Sequence, residues 1–147
     1  MKTVIFARHA EIELPPTSAN PGLNDAGVTR AEELAHVVGA AHVTAVFTSA
    51  LRRTKQTAAP LASRLGLRPA EVPPAGELAR RVLASEPGAV IMVVGHSDTV
   101  PEMIAALGVA GPPAIGEREF DNLFVVTVAG RGEAALLALK YGRPSGT

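Results

Sequence analysis

The sequence predicts an α/β protein, a three-layer α/β/α sandwich with a mostly parallel sheet and an antiparallel C-terminal hairpin. Short apolar runs typical of strands buried on both faces alternate with segments of helical periodicity. The last two strand-like runs are joined by a glycine-containing turn, which indicates the hairpin. The 147 residues, 47% of them hydrophobic, suffice for one such core, so we expect a single domain over residues 1–147.

The first predicted strand and helix occupy the N-terminal part of the chain. Residues 3–7 form a continuous apolar run of the buried-strand type. A loop rich in proline and small polar residues follows, after which Asn24 and Asp25 offer a helix cap. Apolar residues then repeat at helical spacing over residues 28–38, and Gly39 ends the helix.

The second strand and helix repeat this arrangement. A buried-type strand is predicted at residues 43–47, and Thr48 and Ser49 supply a candidate cap for a helix over about 51–65. Pro60 lies inside that helical pattern. Because proline removes an amide donor and crowds the preceding turn, we expect it to kink or interrupt the helix.

The remaining elements complete the alternation. A helix is predicted over residues 76–85, a strand over 90–94 and a helix over 101–107. Two further strands, at 123–128 and 134–139, form the expected hairpin. Since parallel sheets bind ligands beyond the carboxyl ends of their strands, functional residues are expected directly after each strand.

Composition argues against several classes of function. Lys plus Arg and Asp plus Glu are both 14, so no overall positive field favours nucleic acid or an anionic membrane as partner. The chain has no cysteine, which excludes disulfides and thiol nucleophiles. The apolar runs, of which residues 89–94 are among the longest, are too short to span a bilayer. We expect a cytoplasmic protein, or an extracytoplasmic one if a leader has been removed.

Basic and imidazole side chains follow three of the predicted strands. Arg8 and His9 follow the first, Arg52 and Arg53 lie in the helical turn after the second, and His96 follows the strand at 90–94. If these strands are parallel neighbours, the side chains meet at one sheet edge beside helix N-termini. A small dianion such as phosphate is the natural ligand, and an imidazole can attack its phosphorus.

Five segments resemble, in order, the histidine phosphatase superfamily, also called the phosphoglycerate mutase-like family. They are residues 8–11 (RHAE), 23–27 (LNDAG, followed by Arg30), 48–58 (TSALRRTKQTA), 95–97 (GHS) and 121–126 (DNLFVV). The resemblance covers nearly the whole chain. It implies a phosphoglycerate mutase-like fold.

The resemblance also implies roles for four residues. His9 is expected to accept the phosphoryl group, Arg8 and Arg53 to neutralise phosphate oxygens, and His96 to donate to a non-bridging oxygen. Arg52 points about 100° away on its helix and is left out of the site. No metal ion and no cofactor are expected.

The general acid that protonates the leaving group is unassigned, because the segment between Arg53 and His96 offers Glu71, Glu77 and Glu86, none of them in a matching motif. We rank Asp98 first, Glu77 second and Glu11 third, with helix capping as the alternative role of Asp98. His36 and His42 have no partners spaced for zinc and are expected at the surface. A missing acid would favour aryl phosphates or phosphohistidine as substrates.

Three functions remain open after the sequence. The first is a compact phosphatase with an open site that acts on a phosphorylated small molecule or a phosphohistidine protein, since only 42 residues separate Arg53 from His96. The second is a phosphoglycerate-type mutase, which must shield its phosphoenzyme from water. The third is a non-catalytic phosphate-binding module on the same fold. The oligomeric state is left open.

Overall fold

A computed structural model describes residues 1–146, and within them it confirms the predicted fold class. The strands are β1 (Lys2–Arg8), β2 (Ala45–Thr48), β3 (Ala70–Glu71), β4 (Val90–Gly95), β5 (Asn122–Gly130) and β6 (Glu133–Lys140). The helices are α1 (Asp25–Val38), α2 (Arg52–Leu65), α3 (Ala75–Ala84) and α4 (Thr99–Ala106). All of these strands join one sheet in the order β3-β2-β4-β1-β5-β6.

The central strands are parallel, and the C-terminal hairpin is antiparallel to them. β4 pairs in parallel with both β1 and β2, whereas β5 pairs antiparallel with β1 and with β6. In the β1–β4 register, Arg8 lies opposite Gly95. The residues that follow β1 and β4 therefore emerge side by side at one edge of the sheet.

Two apolar cores lie on opposite faces of the sheet, which gives the three layers. Val4 and Phe6 of β1 pack on one face with α3 and α4. Ile5 and Ala7 point to the other face, where α1 and α2 cover them. Because successive side chains of a strand alternate between faces, a central strand buried on both sides has the continuous apolar sequence seen here.

The start of α1 is pressed against the loop that follows β1. Asn24 caps the helix as predicted, and its side chain accepts a 2.9 Å hydrogen bond from the Gly27 amide. A Cβ atom at Gly27 would collide with the Glu11 carbonyl oxygen. Only glycine permits this approach, so the helix can fix the backbone two residues beyond His9.

One expectation for α2, its cap, is wrong, and one of the two effects expected of Pro60, an interruption, is not observed. The N-cap of α2 is Leu51, which makes no side-chain cap hydrogen bond, so neither Thr48 nor Ser49 caps the helix. The helix also continues through Pro60 without interruption. Ala58 and Leu61 on either side of the proline are fully buried, and such tertiary packing outweighs the loss of one helical hydrogen bond.

Other differences concern boundaries. β2 begins at Ala45 rather than at residue 43, and the two-residue strand β3 is too short to give a periodic signal. α4 begins at Thr99, two residues before the prediction, because Asp98 caps it. No helix in the described part of the chain is long and apolar enough to span a bilayer.

Candidate active site

The two histidines that the sequence placed after β1 and β4 lie side by side. The His9 backbone amide donates a 2.8 Å hydrogen bond to the Gly95 carbonyl oxygen, which extends the β1–β4 ladder by one residue. The ring centroids of His9 and His96 are 5.4 Å apart. Two neighbouring parallel strands thus bring together residues that are far apart in the sequence.

The His9 ring is held in one tautomer. Its side chain is buried, and Nδ1 lies 2.8 Å from the Ala10 carbonyl oxygen. A carbonyl only accepts, so Nδ1 carries the proton and Nε2 of the neutral ring keeps a free lone pair. Burial, with the positive charges of Arg8 and Arg53, lowers the pKa of His9 to about 4, although the bond to Ala10 opposes the shift. The His9 ring is therefore neutral at neutral pH, with the lone pair of Nε2 free.

Arg8 is anchored through one nitrogen of its guanidinium. Nη1 donates to the carbonyl oxygens of Gly116, Glu117 and Glu119 at 3.1, 2.9 and 3.0 Å. Nε is buried without a partner among the described residues, and the Arg8 side chain is only 8% exposed. Nε and Nη2 share one edge of the planar group, which is the geometry that binds an oxyanion through two hydrogen bonds.

Arg53 supplies the second cation, and its neighbour Arg52 does not. Arg53, half-buried in the first turn of α2, lines the same cavity as both histidines. Burial, with the Arg53 charge next, lowers the pKa of His96, while Asp98 opposes the shift. Arg52 lines a separate cavity beside Gly22, as its direction on the helix predicts.

His96 is positioned by two hydrogen bonds. Its Nε2 lies 2.8 Å from the Ser49 hydroxyl, which in turn lies 2.7 Å from the Thr54 hydroxyl. Its backbone amide donates to the Thr99 hydroxyl at 3.0 Å. Ser49 and Thr54 belong to the motif at 48–58, so that segment orients His96 as well as supplying Arg53.

A cavity of about 670 Å³ opens above these groups. Its lining residues are Arg8, His9, Ile12, Leu14, Pro16, Leu51, Arg53, His96, Ser97, Asp98, Thr99 and Glu117. The four basic and imidazole residues expected from the sequence are all included. The volume is ample for a phosphate with part of its leaving group.

Of the three candidate acids, only Asp98 lines this cavity. Its Oδ1 also caps α4 by accepting from the Thr99 amide at 2.9 Å, so the capping role and a position in the site coexist. Glu11 instead forms a two-point ion pair with Arg30. Glu77 pairs at 3.2 Å with Arg81 on the exposed side of α3.

Sequence reasoning missed two contributors from the segment before β5. Glu117 lines the cavity, and Phe120 packs against the site with its ring centroid 4.2 Å from the Arg8 guanidinium carbon and 6.0 Å from the His9 ring. This segment has no helical or strand periodicity and no motif that would have marked it. The only available signal was Phe120 itself, one of four phenylalanines in the chain.

No group of three His, Asp or Glu side chains within residues 1–146 is arranged to hold a metal ion. His36 and His42 are exposed, on α1 and in the loop after it. The positive charge in the cavity comes from the two guanidiniums. The cavity thus combines two guanidiniums, which can hold an oxyanion, with an imidazole that has a free ring nitrogen.

The state of His9 gives a prediction about pH. We expect the His9 ring to titrate near pH 4, measured from its C2 proton signal and assigned by comparison with His9→Gln. Because the unfolded chain takes up this proton near 6.5, the same shift removes stability as the pH falls from about 6.5 towards 4. A titration midpoint near 6.5 would contradict the buried, cation-flanked environment.

Comparison with known families assigns the chain. The sequence model described as histidine phosphatase superfamily (branch 1) matches residues 4–79, just over half of the 147 residues. The chain belongs to the histidine phosphatase superfamily. The resemblance of the motifs is thereby confirmed at the level of the family. A sequence search of curated proteins finds no match.

Solved structures of histidine phosphatases share the fold along almost the whole chain. The protein histidine phosphatase SixA with tungstate has 20% identity and a TM-score of 0.77 over 94% of this chain and 96% of its own. A mycobacterial glucosyl-3-phosphoglycerate phosphatase with inorganic phosphate has 16% identity and a TM-score of 0.71 over 98% of each chain. A phosphoserine phosphatase mutant from Entamoeba histolytica, with phosphoserine, has 14% identity and a TM-score of 0.72 over 96% of each. At these identities the likeness shows the fold alone.

Proposed function

We propose that this histidine phosphatase hydrolyses a phosphomonoester or a phosphohistidine through a covalent phosphohistidine on His9. One observation carries the proposal: the buried His9 ring donates from Nδ1 to Ala10 and keeps Nε2 as a lone-pair donor beside two guanidiniums. A neutral imidazole in a cationic cavity is a nucleophile next to the place where a phosphate dianion binds.

The proposed reaction has two steps. In the first, Nε2 of His9 attacks phosphorus, a P–N bond forms, and the bond to the leaving oxygen or nitrogen breaks. In the second, water attacks the same phosphorus, inorganic phosphate leaves, and the neutral imidazole returns. Splitting the displacement in this way replaces one difficult step with two easier ones.

The other residues have roles in binding the phosphoryl group. The Nε–Nη2 edge of Arg8 holds two oxygens, Arg53 balances the remaining negative charge, and His96 donates to a non-bridging oxygen. Asp98 at the cavity wall is the candidate acid for the leaving group. The guanidiniums supply the charge stabilisation, so the proposed chemistry requires neither metal nor cofactor.

Two substrate classes follow from the family and its relatives. SixA is named a protein histidine phosphatase, and the mycobacterial and Entamoeba relatives are named for small phosphorylated compounds. We propose that the substrate of this chain falls in one of these classes. A mutase needs additional chain that folds over its phosphoenzyme and shields it from water. The 42 residues between Arg53 and His96 leave little room for a large insertion of this kind, which favours hydrolysis over mutase chemistry.

The decisive experiment detects the phosphoenzyme. We expect hydrolysis of 4-nitrophenyl phosphate and, after rapid quenching of a ³²P-labelled substrate, protein-bound label that is stable in alkali and lost in acid. Added methanol should divide the phosphoryl group between alcohol and water in a ratio that is the same for aryl phosphates with different leaving groups. A ratio that changes with the leaving group would contradict a common intermediate.

Controls separate the alternatives. Preferential transfer to glycerate or a sugar acceptor over water would identify a mutase. Binding of phosphate or vanadate with no turnover across a panel of phosphomonoesters would instead identify a binding module. Each of these two results is incompatible with the expected result, which is hydrolysis by water through a labelled phosphoenzyme.

A further inference from the structure

The cavity above His9 is lined by as many acidic as basic side chains. Its basic groups, Arg8 and Arg53, lie with His9 where the phosphoryl group binds in the proposed function. Its acidic groups, Asp98 and Glu117, also line the cavity. A phosphate dianion uses both cations, so a further anionic group on the substrate meets the Glu117 carboxylate, and no other cavity-lining cation among the described residues offsets that charge.

The backbone of Glu117 is held by the same bonds that hold Arg8. Nη1 of Arg8 donates to the carbonyls of Gly116, Glu117 and Glu119, and the Glu119 side chain accepts from the Gly116 amide at 2.9 Å. Burial lowers the pKa of Arg8, and Glu117 is the charge that opposes this most. Glu117 therefore lies electrostatically close to the guanidinium that binds phosphate.

Asp98 is held on a different element. Its carboxylate caps α4 through the Thr99 amide, and its charge opposes the lowering of the His96 pKa that burial and Arg53 cause. Asp98 is thus close to the imidazole that faces His9. Glu117, on the loop before β5, contributes negative charge to the cavity wall, whereas Asp98, at the start of α4, contributes it only when it is not carrying the proton for the leaving group.

The rest of the wall is apolar. Ile12, Leu14 and Pro16 come from the loop after β1, and Leu51 lies just before α2. Such side chains lose no hydrogen bonds when they cover a hydrocarbon or aromatic surface, and they gain from excluding water. The cavity offers apolar contact to the body of a leaving group and negative charge to its substituents.

We propose, on the basis of the function proposed above, that the substrate is a monophosphate whose leaving group is apolar in body and neutral or cationic, without a second anionic group. An aryl or alkyl phosphate that also carries an amino group has this chemistry. So does a phosphorylated side chain beside basic residues. Phosphoglycerates and bisphosphates do not, because their second anion would meet the negative charge of Glu117. This preference separates the site from one built for a phosphoglycerate-type substrate.

The test uses three aryl phosphates that differ in the charge of one substituent. Phenyl phosphates with a para aminomethyl, methyl or carboxymethyl group carry a cation, no charge or an anion there. We expect kcat/KM to fall in that order, with about a 10-fold ratio between cation and anion at low salt. The ratio should shrink in 0.5 M NaCl, because exposed charges are screened.

Variants assign the preference to the cavity. Glu117→Gln should reduce the ratio of kcat/KM between the cationic and the anionic compound at least about threefold. A change that affects all three compounds equally does not alter this ratio. Glu133→Gln removes the same charge from the far edge of the sheet, at the start of β6, and should leave the ratio unchanged.

Each outcome is decisive. Equal rates, or a preference for the carboxymethyl compound, would overturn the inference and leave the phosphatase function standing. A ratio that Glu117→Gln does not alter would remove the role assigned to that side chain. Failure to hydrolyse any of the three compounds would overturn the proposed function, and this inference with it.

Discussion

His9→Ala is expected to lower kcat for 4-nitrophenyl phosphate by at least about 10⁴-fold and to abolish the acid-labile protein label. The substitution removes Nε2, the only nitrogen in the proposal that bonds to phosphorus, and water then has to attack the substrate directly. Initial rates and quenched labelling reactions, run side by side with the wild-type enzyme, measure both effects.

Binding measurements show whether the site survives in this variant. Arg8 and Arg53 remain, so the Kd for inorganic phosphate, measured by calorimetry, should change by less than about 10-fold. His36→Ala, which removes an exposed imidazole on α1, is the matched control and should keep full activity. Residual His9→Ala turnover above about 1% would contradict nucleophilic catalysis by His9.

Glu11→Gln is expected to reduce the free energy of unfolding by about 3 kcal/mol and Tm by roughly 6–12 °C. Glu11 accepts from Nε and Nη2 of Arg30 at 2.8 and 2.9 Å, and the Arg30 residue is only 1% exposed. Glutamine removes the charge and turns an amide donor towards a guanidinium that cannot accept. The buried cation is left without its counter-charge, and urea unfolding at neutral pH measures the cost.

The chain provides a matched control for this stability effect. Glu77→Gln breaks the exposed i, i+4 pair with Arg81, and such pairs contribute only about 0.3–0.5 kcal/mol. Equal losses in the two variants would show that burial does not strengthen the Glu11–Arg30 pair. Because Arg30 also donates to the Tyr141 and Arg143 carbonyls, the loss should include looser anchoring of the segment after β6.

The sequence alone predicted those residues of the candidate site whose positions follow from the order of the strands. Arg8, His9 and His96 come directly after strands whose buried composition marks them as central. Once β1 and β4 are parallel neighbours, their ends must meet. Arg53 was located by a motif in the first helical turn after β2, and α2 does begin there.

The sequence was insufficient where a role depends on long-range contacts between side chains. Glu11 stands next to the His9 segment in a family-like run, yet its carboxylate belongs to Arg30 because α1 packs against that loop. Glu117 reaches the cavity only because β5 returns antiparallel beside β1 and brings the preceding loop to the Arg8 side. Neither relation leaves a periodic pattern in the chain.

The hydrogen bonds from Arg8 to the loop before β5 bear on how specificity evolves. Their acceptors at residues 116, 117 and 119 are backbone carbonyls, which every amino acid provides. A mutation at position 117 can therefore exchange a negative side chain for a neutral or positive one without loosening the guanidinium. Under the proposed function, one substitution at this position would change the preference for substrate charge and keep Arg8 in place for the phosphoryl group.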